Sequence, residues 1–133
     1  MIINQSAVIP YRYQSDKLEI LLITSLKKKN WIIPKGFVEE GLTPQMSAAK
    51  EALEEAGIKG KVFPDAIGVY FQKKWGGDCR IETFAMQVEN ELDQWPEMDQ
   101  RERKWLQAGK AVKQIYNRNL KKIVKKFMES MQV

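Results

Sequence analysis

The amino-acid sequence predicts a layered α/β or α+β domain, and three observations support this fold class. Strand-like and helix-like segments are mixed along the 133 residues in an order that is not a regular β-α repeat. Residues 18–24 are almost continuously apolar, which is typical of a strand covered on both faces. Residues 43–57 have a helix start and a helix stop around an amphipathic pattern. No internal repeat or linker interrupts the chain, so we expect one domain over residues 1–133.

The first half of the chain is predicted to contain three strands before its helix. They lie at residues 5–13, 18–24 and 31–33, with polar connections at 14–17 and 27–30. In the helix that follows, Thr43 supplies a capping hydroxyl and Pro44 suits the first helical position. Gly57 supplies a left-handed stop after Ala56, and Ile58 can pack back on the helix.

The second half is predicted to contain strands and then two closing helices. The segments are a strand region at 61–74, a hairpin turn at 75–78, a returning strand at 80–88, a long polar surface loop at 89–103, a short strand at 104–106, and helices at 108–116 and 119–131. The last helix has one apolar stripe and lysines on its other sides, which indicates a packing helix with a solvated basic face.

Composition limits the chemistry that the chain can perform. The formal net charge is +5, from 22 basic and 17 acidic residues, and there is no histidine. Acid–base or metal chemistry therefore depends on carboxylates, lysines, tyrosines or the lone thiol, and the basic surplus suits polyanions. Cys79 has no second cysteine to pair with, and the first residues do not resemble a signal peptide. We therefore expect a cytoplasmic protein without a membrane span.

Three glutamates lie close together on the predicted helix. Glu54 and Glu55 are both within roughly 60° of Glu51 around a helix axis, so the three carboxylates form one acidic patch. Such spacing of like charges is unfavourable in an isolated helix. Hard divalent cations such as Mg²⁺ are usually held by one or two carboxylates together with substrate phosphates. The patch next to a glycine-bearing loop therefore predicts a metal site, whereas an ordinary solvated helix face is the alternative.

The segment from Gly36 to Ile58 resembles the signature of the Nudix hydrolases. Gly36 matches its first glycine, Glu51 follows the position of its arginine, Glu54 and Glu55 match its glutamate pair, and Gly57 with Ile58 closes it. The predicted strand order and closing helix also fit the α/β/α sandwich of that family, which has a mixed sheet. Two positions depart from the signature: Leu42 replaces a loop glutamate, and Lys50 replaces the arginine and lacks its planar fork.

The resemblance implies hydrolysis of a diphosphate linkage with Mg²⁺ or Mn²⁺ as cofactor. It makes Glu54 and Glu55 metal ligands, Glu51 a further ligand or the base for the attacking water, and Gly36 a carbonyl donor to the metal. Activity is the favoured interpretation because this glutamate set is complete despite Leu42 and Lys50. A catalytically weak protein of the same fold that binds or senses nucleotides is the alternative.

The opening "WIIPKGFVEEG" is similar to that of the diphosphoinositol polyphosphate and diadenosine polyphosphate hydrolase branch. This implies a phosphorylated small-molecule substrate: a nucleoside or dinucleoside polyphosphate, or an inositol pyrophosphate. Glu102 is a candidate extra metal ligand or base, or it only solvates a loop. The candidate substrate-binding cations are Lys35, Arg12, Lys50 and Arg80, for which ordinary surface charge is the alternative.

Several aromatic residues are candidates for stacking on a nucleobase, although strand aromatics usually belong to a core. They are Trp31, Tyr70, Phe71 and Trp75. No aromatic-rich RNA-binding module is evident, so nucleic acid is not the expected partner. The sequence leaves the substrate, the general base and the choice between monomer and homodimer open.

Overall fold

The computed structural model describes residues 2–131, and within them it contains one eight-stranded sheet and three helices. In chain order the elements are β1 (Ile2–Gln14), β2 (Lys17–Thr24), β3 (Trp31–Ile32), β4 (Lys35–Phe37), α1 (Pro44–Ala56), β5 (Ile58–Val62), β6 (Gly68–Lys74), β7 (Gly77–Glu91), β8 (Arg103–Gln107), α2 (Ala108–Gln114) and α3 (Arg118–Met131).

The sheet is mixed, as the resemblance to the Nudix hydrolases implies. Its strand order is β3-β2-β1-β7-β5, while β4 pairs with β1, β6 with β7, and β8 with β2. The pairing of β1 with β7 is parallel and extends from Ile2 opposite Asp78 to Tyr11 opposite Gln87. The other pairs are antiparallel. The two longest strands therefore lie side by side in the middle of the sheet.

Helices cover both faces of this sheet, so the domain is an α/β/α sandwich. Alternate residues of β1 point to opposite sides: Ile9 belongs to the core under α2 and α3, and Val8 belongs to the core under α1. In β2, Leu22 and Leu21 divide in the same way. The prediction that residues 18–24 form a strand covered on both faces is confirmed.

The predicted strand region at 61–74 is wrong in one respect, because the structure divides it into β5 and β6. Pro64 lies between them and has no backbone N–H to donate to a ladder. Both strands pair with β7, which extends beyond the predicted residues 80–88 at both ends. The predicted hairpin turn is confirmed at Trp75 and Gly76, which both have positive φ, whereas Gly77 and Asp78 already belong to β7. Among residues 2–131, no helix is long and apolar enough to span a membrane.

Candidate metal and phosphate site

Helix α1 presents its three carboxylates as predicted. The Thr43 side chain accepts a hydrogen bond from the Met46 N–H at 3.1 Å, and Gly57 ends the helix in the left-handed region at φ 67°. The face toward the sheet is lined by small buried residues, Ala48, Ala52 and Ala56. These residues let α1 lie close to the sheet, so that its glutamates reach the backbone of the neighbouring strands.

Glu55 is the buried member of this acidic set, with 7% of its surface exposed. Its Oε1 accepts a hydrogen bond from the Lys35 N–H at 3.2 Å, and its Oε2 lies 3.7 Å from Nη2 of Arg101. Burial raises the pKa of Glu55 to about 8, although the charge of Arg101 acts in the opposite direction. Without a bound cation, this carboxyl is therefore mostly protonated at neutral pH.

Glu51 packs directly on Gly36. A Cβ atom at position 36 would overlap the Glu51 side chain, so a larger residue there would displace this glutamate. Burial raises the pKa of Glu51 to about 7, and the neighbouring charges of Glu54 and Glu97 add to the effect. The structure thus places Glu51 against Gly36 and Glu55 against the neighbouring Lys35 N–H, with Glu54 near enough for its charge to act on Glu51.

The loop at residues 92–102 adds two side chains that the sequence analysis missed. The Glu97 N–H donates to the Glu54 carbonyl oxygen at 3.1 Å, and its carboxylate accepts from Arg101 Nε at 2.8 Å. Apart from Glu102, this segment is predicted from sequence only to be a polar surface loop. The available signal was an oppositely charged pair four residues apart, which is common on any solvated turn.

A second group of contacts fixes this loop to the end of α1. Trp95 Nε1 donates to the Glu55 carbonyl oxygen at 3.1 Å, and Arg103 Nη1 donates to that of Ala56 at 2.9 Å. The Arg103 guanidinium lies 3.8 Å from the centre of the Trp95 ring. A Cβ atom at Gly57 would come within 2.7 Å of that ring, so the glycine both ends the helix and admits the tryptophan.

Glu102 is placed differently from the three helical glutamates. Its N–H donates to the Thr24 hydroxyl at 2.9 Å, and its side chain is exposed. It is Glu97, five residues earlier, whose charge acts on both Glu51 and Glu55. A role for Glu102 as ligand or base stays a prediction.

Of the four predicted substrate-binding cations, the structure brings Lys35 to the site. Its Nζ donates to Gln72 Oε1 at 3.2 Å, and burial followed by the charge of Lys74 lowers its pKa. Arg12 instead pairs with Glu19 at 2.8 Å and stacks on Trp105, with its guanidinium 4.1 Å from the ring centre. These contacts place Arg12 in a separate network.

The other two cations have different surroundings. Lys50 Nζ bonds both carboxylate oxygens of Glu39, at 3.0 and 2.8 Å. It therefore faces the loop before α1, and its pKa is raised by the hydrogen bond to Glu39. Arg80 lies in β7 opposite Asn4 and Phe71. Substrate binding by Lys50 or Arg80 stays a prediction.

The donor set fits a hard divalent cation that is shared with a phosphorylated ligand. Carboxylates of α1 and the loop lie near enough for their charges to raise the pKa of Glu51 and Glu55, and such repulsion is of the kind that a cation relieves. Among residues 2–131, no three acidic or thiol side chains lie close enough to enclose a metal ion by themselves. Mg²⁺ is usually bound by one or two carboxylates with waters and substrate phosphates, so an incomplete protein cage is expected for it.

Comparison with known proteins gives a consistent result. The NUDIX domain profile matches residues 4–127. Nudix hydrolase 13, mitochondrial, of Arabidopsis thaliana is 37% identical over 129 residues, covering 80% of this chain and 64% of that protein, so the chain spans somewhat less than two thirds of that relative. The mouse diphosphoinositol polyphosphate phosphohydrolase 3-alpha is 29% identical, covering 83% of this chain and 67% of that protein.

Solved structures support the fold. The crystal structure of the Caenorhabditis elegans Ap4A hydrolase superposes with a TM-score of 0.82 at 22% identity, covering 99% of this chain and 100% of that chain. The mixed sheet between helical layers is therefore the arrangement that the resemblance in the sequence implied.

Proposed function

This chain belongs to the Nudix family, and on that premise we propose that it hydrolyses a diphosphate linkage in a nucleoside or dinucleoside polyphosphate with Mg²⁺ or Mn²⁺. The observation behind this proposal is that Glu51 packs on Gly36 and Glu55 accepts from the Lys35 N–H, while the charges of Glu54 and Glu97 act on Glu51. An inositol pyrophosphate is the alternative substrate, and a weakly catalytic nucleotide-binding protein is the alternative function.

Each group has a definite part in this proposal. Glu54 and Glu55 would hold the cations, while Glu51 or Glu97 would accept the proton of the attacking water. The pKa of Glu51, about 7 in the unliganded chain, is in the range that suits a general base at neutral pH. Lys35 offers an ammonium group to the phosphates. When bound, divalent cations neutralise phosphate charge and activate water.

An exposed aromatic pair favours nucleotides over inositol pyrophosphates. Phe37 and Trp75 are 53% and 57% exposed, and their ring centres are 5.3 Å apart. Phe37 directly follows Gly36, and Lys74 Nζ lies 4.7 Å from the Trp75 ring centre. A nucleobase has a flat π face that can stack on such rings, whereas an inositol ring has none. Of the aromatics predicted from sequence, Tyr70 is buried in the core instead.

The direct test is a substrate panel measured with Mg²⁺ and with Mn²⁺. It contains nucleoside di- and triphosphates, diadenosine polyphosphates, nucleotide sugars and inositol pyrophosphates. We expect hydrolysis of at least one nucleotide, with its products separated by chromatography, and none in EDTA. Binding of nucleotides without turnover of any substrate would favour the binding-protein alternative, and turnover of inositol pyrophosphates alone would contradict the assignment to nucleotides.

Trp75→Ala tests the aromatic pair. We expect KM for a nucleotide substrate to rise about tenfold, because stacking of a base contributes ~1–3 kcal/mol and about 1.4 kcal/mol corresponds to tenfold. Turnover of any inositol pyrophosphate should not change. Tyr116→Ala is the matched control, since Tyr116 is 78% exposed between α2 and α3. Equal KM values in wild type and Trp75→Ala would contradict a stacking role.

A further inference from the structure

Arg101 is a buried cation that joins two carboxylates from different parts of the chain. Its side chain is 8% exposed. Nε donates to Glu97 Oε1 at 2.8 Å, Nη1 donates to the Thr24 carbonyl oxygen at 2.9 Å, and Nη2 lies 3.7 Å from Glu55 Oε2. The planar guanidinium is therefore fixed to the end of β2 and directed at both glutamates.

The loop that contains Arg101 is also attached by contacts that do not involve its guanidinium. Trp95 and the Glu97 N–H bond to carbonyl oxygens of α1, Glu102 bonds to the Thr24 hydroxyl, and Arg103 bonds to the Ala56 carbonyl oxygen. These four contacts lie on both sides of Arg101 in sequence. The loop should therefore stay docked when the guanidinium is removed.

We propose that Arg101 is a positioning residue, which fixes Glu55 of α1 and Glu97 of the loop in one arrangement for catalysis. The inference rests on the proposed hydrolase function of the same site. A lysine at this position would be a poor substitute, because an ammonium group is a point charge and cannot span two carboxylates and a carbonyl in one plane. Lys50 is the cation of α1 closest in sequence to Glu51. Because it is bonded to Glu39, it does not position Glu55 or Glu97.

The kinetic test compares Arg101→Gln and Arg101→Lys with wild type. We expect kcat to fall about 10- to 100-fold in both variants, as is usual when a group that orients metal ligands is replaced. KM should stay within about threefold of wild type, because Arg101 is buried and acts through the glutamates. If Arg101→Gln does not fold, the kcat of Arg101→Lys alone tests the positioning role. Retained kcat in either folded variant, or a rise in KM alone, would overturn the proposal.

Arg103→Lys is the matched control. Arg103 is a neighbouring arginine in the same segment, and it contacts the end of α1 and the Trp95 ring rather than the glutamates that Arg101 reaches. We expect this variant to lower the melting temperature and to keep its kcat at temperatures where it is folded. An equal loss of kcat in the Arg103 and Arg101 variants would mean that Arg101 only stabilises the loop, which contradicts the proposal.

A double-mutant cycle with Glu97→Gln measures whether Arg101 acts through its partner. If it does, the double variant should lose no more kcat than the worse of the two single variants. If the fold-loss of kcat in the double variant equals the product of the two single losses, Arg101 and Glu97 act independently. That result would overturn positioning through Glu97. Wild-type turnover is the reference for the cycle, so a wild type that hydrolyses nothing in the panel contradicts the proposed function and not this assignment.

Binding of Mn²⁺, followed by the electron paramagnetic resonance of the free ion, supplies a readout without substrate. Removing a positive charge near acidic ligands would by itself strengthen cation binding. Loss of ligand orientation should weaken it instead, and we expect the Kd of Arg101→Gln to rise about tenfold. Unchanged or tighter Mn²⁺ binding would contradict the positioning role, whether or not a substrate is known.

Discussion

Glu55→Gln is expected to lower kcat/KM about 10³-fold and to raise the free energy of unfolding of the metal-free protein at neutral pH by up to a few kcal/mol. A bound divalent cation contributes several kcal/mol to catalysis, and about 1.4 kcal/mol corresponds to tenfold in rate. Glutamine keeps the shape of the side chain and can still accept the hydrogen bond from the Lys35 N–H. It removes only the ability to become an anionic ligand.

The expected stability follows from the pKa of Glu55, about 8 in the folded chain. At pH 7 the folded metal-free protein holds this carboxyl mostly in its neutral form, which glutamine resembles, whereas the unfolded chain ionises it. Glutamine removes this stabilisation of the unfolded chain, so the variant should be the more stable protein. Unfolding in urea with EDTA measures this half of the prediction, and turnover of the best panel substrate measures the other. Glu129→Gln, an exposed acid on α3, is the control and should match wild type in both assays. Near wild-type turnover by Glu55→Gln would contradict the assignment of Glu55 as a ligand.

The helix and its glutamates could be predicted from sequence because their signals are local. Thr43, Pro44 and Gly57 determine the ends of α1, and the helical repeat then determines which residues share a face. It could also be predicted that the central strands are covered on both faces, since continuous apolar runs indicate such strands. These features need no information about distant residues.

The rest of the site depends on contacts between residues far apart in sequence. Arg101 meets Thr24 across 77 positions, and Trp95 meets Glu55 across 40. A polar loop gives no periodicity from which such docking can be predicted. Glu97 therefore gives no specific signal in the sequence, whereas Glu102 is predicted from the resemblance of its run before Trp105 to that of related hydrolases. The departure at Lys50 also has a tertiary explanation, because its partner Glu39 is supplied by the loop before α1.

The metal-free protein is expected to lose stability as the pH rises from about 4.5 to about 8. The pKa of Glu55 is raised to about 8 and that of Glu51 to about 7, both from an ordinary value of 4.5. Between these values the folded chain binds more protons than the unfolded chain, so the free energy of unfolding falls with increasing pH. The loss from the buried Glu55 should be a few kcal/mol, complete above its folded pKa. The absence of histidine removes the side chain that usually titrates in this range.

Urea unfolding in EDTA at pH 5, 6, 7 and 8 measures this dependence. The double variant Glu51→Gln/Glu55→Gln should show a much flatter profile and should be more stable than wild type at pH 8. Mn²⁺ should reverse the trend in wild type, because it binds the ionised carboxylates and binding to the folded state stabilises it. The idea is contradicted if the free energy of unfolding of wild type does not fall with pH, or if it falls equally steeply in the double variant. Either result would show that ionising these carboxylates does not destabilise the folded chain. If the predicted profile is found, the crowded acidic face of α1 is a strained arrangement that the cation relieves, which is the thermodynamic counterpart of the proposed activity.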